Sequence, residues 1–212
     1  MKTLFLLVAT VLGASTLNAQ SKYESGMTKA MAQFEAAKTP AELLSSSAMF
    51  ERIADAEKDE WLPYYYAALT NNMASWMDEK ADKDKMAEKS IALVEKAELI
   101  EGSNASELYC MRNMIASSQM MVDPMSRWQT YGMEAGKALE NAKKADPNNP
   151  RIYFLEGQAI FNTPEAFGGG KKNAKPYFEK SVALYETFVP ASPMHPKWGK
   201  EEASEMLKQC NQ

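Results

Sequence analysis

Residues 133–150 read Met-Glu-Ala-Gly-Lys-Ala-Leu-Glu-Asn-Ala-Lys-Lys-Ala-Asp-Pro-Asn-Asn-Pro. Ala135, Leu139 and Ala142 fall four and three residues apart, so they share one face of a helix. The small alanines let a second helix axis approach, and Leu139 fills the groove between the two. Pro147 breaks the helix. Asn149-Pro150 then opens another, with a capping side chain followed by proline at the first helical position.

The same spacing recurs outward from this stretch. Ser90, Val94 and Ala97, followed by Gly102, repeat it with glycine as the breaker. Ala174, Phe178 and Ser181 repeat it without a breaker, and Ser46, Phe50 and Ile53 form a looser copy. Six positions after each breaker position stands a large apolar residue: Tyr64, Leu108 and Tyr153. Small residues follow at Ala68 and Gly157, whereas Arg112 departs from the rule. Thr39-Pro40-Ala41-Glu42 forms a capping box, Asp123-Pro124 repeats the cap-then-proline signal, and Asn104 with Glu107 is a weaker version. These signals predict helices at 22–37, 40–57, 60–76, 83–100, 105–121, 124–145, 150–162, 171–186 and 197–210, with no room for a sheet.

Segments 135–150 and 151–185 resemble tetratricopeptide (TPR) repeats. Residues 162–170, Asn-Thr-Pro-Glu-Ala-Phe-Gly-Gly-Gly, are similar to a turn of exported bacterial TPR-like proteins, among them the periplasmic T component of TRAP transporters. The resemblance implies an all-α, TPR-like superhelix of three to four hairpins that presents a binding face. The copies sit farther apart than in standard TPR arrays, and the signature tryptophan is missing. Residues 22–37, with Tyr23, Met27, Met31 and Phe34, and residues 197–210, with Trp198, Met206 and Leu207, supply the capping helices that such a stack needs.

Composition agrees with an all-helical chain. Of 212 residues, 45% are hydrophobic and 25% charged, which suits a packed core rather than a disordered chain. Lys2, the apolar run from Leu4 to Leu12, and Leu17-Asn18-Ala19 read as a signal peptide over residues 1–19, cleaved between Ala19 and Gln20. The run is too short to span a bilayer and no cysteine stands at the cut. The expectation is an exported protein with one domain over 20–212, periplasmic or secreted, and no membrane span in the mature chain. A formal net charge of −4 without a basic stripe argues against nucleic acid as a partner. Cys110 and Cys210 could pair in an oxidising compartment, or each could serve as a small buried hydrophobe.

Catalytic and metal-binding constellations are absent from the sequence. The single histidine, His195, stands in a proline-flanked loop with no rigid element to position it. The acidic run at 78–84 alternates with lysine and lacks the glycine of a calcium loop. The glycines at 168–170 lack the spacing and preceding strand of a phosphate-binding loop. Met111, Met114, Met120, Met121 and Met125 could in principle hold Cu(I), but gap filling between helices or an adaptable contact face accounts for them. No cofactor is expected.

Aromatic residues remain as candidate partner-binding positions: Trp61, Tyr65, Tyr66, Trp128 and Tyr131. Tyr64, Tyr65 and Tyr66 point in three directions round one helix, so they cannot all share one buried face. Tyr and Trp anchor interfaces because they bury large areas while keeping a polar handle. The expected function is a scaffold for a protein or peptide partner in the periplasm or cell envelope; the alternative is a transporter-associated accessory protein holding a small ligand in a helical cleft.

Overall fold

A computed structural model describes residues 22–212; the expected signal peptide and its cleavage point lie outside the described residues. The chain is all-α. Helix α1 covers 22–36, followed by α2 (Pro40–Ala56), α3 (Trp61–Met77), α4 (Lys83–Glu98) and α5 (Ala105–Met120). Then come a short α6 (Pro124–Arg127), α7 (Met133–Ala145), α8 (Pro150–Asn162), α9 (Lys171–Tyr185) and α10 (Lys200–Cys210). No strand occurs among the described residues.

Local chemistry explains most boundaries. Thr39 accepts from the Glu42 amide at 3.3 Å while Glu42 accepts from the Thr39 amide at 2.9 Å, closing the box that starts α2. Asp82, Asn104, Asp123 and Asn149 each accept a first-turn amide at the start of α4, α5, α6 and α8. Two boundaries differ from the expectation. The helix foreseen over 124–145 is interrupted by a π-helical turn, Trp128–Gly132. The last helix begins at Lys200 rather than 197, because Gly199 takes φ 103°. A Cβ there would also lie 2.2 Å from the Tyr185 hydroxyl, so only glycine fits.

Consecutive helices pack against each other from α2 to α5, α5 on α7, and α8 to α10, while α3, α5 and α8 touch in a row. The recurrent small–large–small residues form these contacts. Ser90, Val94, Ala97, Ala174, Phe178, Ser181, Ser46 and Phe50 are fully buried, and Ala135, Leu139 and Ala142 nearly so. At Gly157, a Cβ would come within 2.7 Å of the Phe178 ring, so the missing side chain sets the approach of α8 to α9. One core cluster spans α1 to α5 around Phe50, Tyr65 and Met111, and a second spans α5 to α10 around Tyr153, Phe154 and Phe178. Met114 and Trp198 pack against both, joining them. Cys110 is buried and Cys210 half-buried, and the two are not bonded.

Candidate ligand-binding surface

The five aromatic candidates divide between two places. Trp61, Tyr65 and Tyr66 are buried inside the bundle, at 6%, 0% and 3% exposure. The segment between α9 and α10 covers them. Tyr66 donates to the Met194 carbonyl at 2.9 Å, the Trp198 indole donates to the Tyr65 hydroxyl at 2.8 Å, and the His195 ring stands edge-on to Trp61. His195 is therefore half-buried rather than solvated, and its Nδ1 bonds the nearby Ser192 hydroxyl at 2.8 Å. Burial lowers its pKa. This pair sits within one loop turn, and no carboxylate orients the ring as a catalytic triad requires.

Beneath that strap lies a feature the sequence did not announce. Arg151 and Glu107, in the first turns of α8 and α5, form an enclosed ion pair. Tyr65 donates to the second Glu107 oxygen at 3.3 Å, and Asn149 donates to the first at 2.9 Å. Arg151 also donates to the Pro196 carbonyl and lies over the rings of Trp198 and Phe188, 5.0 Å from each centroid. Burial pushes the Glu107 carboxyl up from its ordinary range, against the pull of Arg151, Tyr65 and Asn149. With its partners inside the protein, this network ties the strap down.

Trp128 and Tyr131 lie at the other end of α3. There the C-terminus of α3, the start of α4, the end of α5 and the π turn converge. Ser75 and Ser118 hydrogen-bond at 3.1 Å, holding the ends of α3 and α5 together. Arg127 grips both oxygens of Asp84, at 2.7 and 2.9 Å, and the Gln119 carbonyl at 3.1 Å. The hydrogen bonds of Arg127 hold the Asp84 carboxyl below its usual range. Met120 packs against Gly132, where a Cβ would crowd its sulfur at 3.2 Å. The π turn thus sits directly on α5 and turns Trp128 outward.

This end carries an unusual load of exposed apolar side chains. Trp76, Met77, Met121 and Val122 are 44–50% exposed, Trp128 is 53%, Met133 66% and Met125 87%. The methionines noted in the sequence consequently split: Met111 is core, Met114 lies between the cores, and Met121 and Met125 face outward. Scattered apolar residues on a surface are ordinary, but a concentration of this kind marks a contact site. π-helical turns are also frequent at functional sites. By contrast, two clefts lie at the opposite end. One cleft of about 830 Å3 is lined by Asp55, Lys58, Asp59, Lys96 and Glu101 together with Tyr64, Leu99 and Ile100, the other by Glu98 and Arg112 with Leu108 and Tyr109. Both mix charged with apolar side chains, and both are open to solvent. Among the described residues no group of His, Cys, Asp and Glu could hold a metal ion, and no helix is long and apolar enough to cross a membrane.

The fold is an all-helical bundle whose inner aromatic face is closed and whose one end is open and apolar. Among solved structures it is similar to the HusA haemophore from Porphyromonas gingivalis, with 36% identity and a TM-score of 0.81. The likeness covers 89% of this chain and 92% of that one. The chain belongs to the family of that haemophore. No protein-family model matches the sequence, and no curated protein matches it.

Two expectations are corrected by this likeness. The chain is not a TPR protein or a relative of the TRAP transporter T component, and the general protein-interaction scaffold gives way to the ligand-binding alternative. The physical reason is that small–large–small spacing reports only that helix hairpins pack closely, a need shared by other helical proteins. The face of α3, α5 and α8, which an open groove would require, is filled by Met194, His195, Pro196 and Trp198.

Proposed function

We propose that this protein is an exported haem carrier that takes its cargo on the exposed apolar end formed by α3, α5 and the π turn. The observation that carries the reading is the concentration of Trp76, Met77, Met121, Met125, Trp128 and Met133 there, in a member of a haemophore's family. Haem is a flat, largely apolar macrocycle, and covering each 100 Å2 of apolar surface contributes about 2–3 kcal/mol. Tryptophan and methionine suit such a ligand: one offers a rigid flat face, the other a polarizable chain that adapts to it. The signal-like segment at 1–19 supports export, and release from the membrane follows if cleavage falls after Ala19.

Titration of the mature protein with haemin, followed by Soret absorbance and by quenching of tryptophan fluorescence, tests the reading. Saturable binding at micromolar protein that is lost in a Trp76→Ala/Trp128→Ala double variant is expected. Binding unchanged in that variant would move the site elsewhere, and no binding by the unaltered protein would overturn the function.

A further inference from the structure

We infer that Lys83 reads the carboxylate groups of the cargo, making the site selective for macrocycles that carry ionised acid side chains; this rests on the haem-binding reading above. Lys83 opens α4 and reaches back to the end of α3. Its ammonium donates to the Ser75 carbonyl and lies 5.9 Å from the centroid of the exposed Trp76 ring. The charge is thereby held at the rim of the apolar surface. Among the described residues it makes no ion pair with a carboxylate.

Asp78, Asp82 and Asp84, the aspartates nearest in sequence, each hold a partner other than Lys83, Asp78 and Asp82 through one oxygen. Asp84 is bound on both oxygens by Arg127. Asp82 accepts the Lys85 amide at 3.1 Å, and Asp78 accepts the Lys80 amide at 2.9 Å. Arg127 is committed to Asp84 and Gln119. An ammonium has three donors. Lys83 spends one on Ser75, and those that remain are available to an incoming anion. Haem combines an apolar disc with two carboxylates on one edge, so a disc on Trp76 can place an acid group against the Lys83 ammonium. A half-desolvated ammonium beside an indole ring discriminates charge more strongly than one free in water.

The test compares haemin with haemin dimethyl ester, in which both acids are masked, on the unaltered protein, Lys83→Gln and Lys83→Arg. The expected result is roughly tenfold weaker binding of the ester by the unaltered protein, a preference that shrinks with added salt. Lys83→Gln should lose that preference and keep its affinity for the ester, and Lys83→Arg should restore most of it. Equal binding of haemin and ester by the unaltered protein overturns the inference while leaving haem binding intact. Failure to bind either compound overturns the functional reading itself. Should Lys83→Gln weaken haemin and ester alike, Lys83 is a prop for the α3 terminus and the inference falls.

Discussion

Arg151 and Glu107 face each other at 2.9 Å with side chains 0% and 4% exposed, the most deeply enclosed charge pair among the described residues. Each stands in the first turn of its helix, and between them they fasten α5, α8 and the strap that precedes α10. Removing one partner strands the other in a low-dielectric interior, which costs about 3–5 kcal/mol. Arg151→Leu should lower the unfolding free energy by that amount at neutral pH, read from the shifted urea transition. The double variant Arg151→Leu/Glu107→Leu should recover much of the loss, and a double variant as unstable as the single would assign the damage to packing.

The Asp84–Arg127 contact gives a pH signature. Arg127 holds the folded-state pKa of Asp84 below its usual value. A carboxyl depressed on folding adds stability above its unfolded pKa of about 3.9 and loses it as pH falls through the folded value. The pair is largely solvent-exposed, so its contribution is small. Asp84→Asn should be less stable than the unaltered protein at pH 6, and the difference should vanish below the carboxylate range. A gap that persists undiminished to pH 2 would rule out this origin.

Trp128 is half exposed, so its loss separates binding from folding. Trp128→Ala should change stability by less than about 0.5 kcal/mol, the usual range for surface positions. Haemin affinity should fall at least tenfold in the same Soret titration.

Gly157→Ala tests the close approach of α8 and α9. The added methyl meets the Phe178 ring at 2.7 Å, a distance that forces the ring or the helix to shift. Overpacking of this kind costs about 1–3 kcal/mol, readable as a lower melting temperature. Gly136→Ala is the control: nothing lies within 4 Å of its new carbon, and it should be neutral or slightly stabilising.

Thiol labelling checks the two cysteines. Burial raises the Cys110 thiol pKa well above its ordinary value and removes it from reagent. In the folded protein, iodoacetamide followed by mass spectrometry should modify Cys210 slowly and Cys110 only after urea is added. Finding the two joined by a disulfide in the purified protein would contradict the free thiols described here.

Helix positions were legible in the sequence because their signals are local. Thr39, Asn104, Asp123 and Asn149 cap within three residues, and Pro40, Pro124 and Pro150 mark first turns. The buried face was legible in α4, α7 and α9, where Val94, Leu139 and Phe178 stand at helical spacing, but not in α3, where Tyr64, Tyr65 and Tyr66 are all buried on different sides. What escaped were relations across the chain. Nothing beside Arg151 signals that Glu107, 44 residues earlier, is its partner. The π turn at 128–132 arises from packing on α5, which a continuous helical pattern over 124–145 hides. Nor does spacing separate the aromatics that face inward, Trp61, Tyr65 and Tyr66, from Trp128. The first three are covered by a strap more than a hundred residues away in sequence.

That strap bears on how the molecule is made. The hydroxyls of Tyr65 and Tyr66 wait for Trp198 and Met194, 133 and 128 positions downstream, and Arg151 waits for Pro196. A growing polypeptide can coil its early helices as they emerge, yet cannot seal their shared interior until this late stretch has been synthesised. Contacts of such sequence separation slow the final closure. A molecule that stops short of it would leave the Arg151–Glu107 pair open to water and its aromatic core wet.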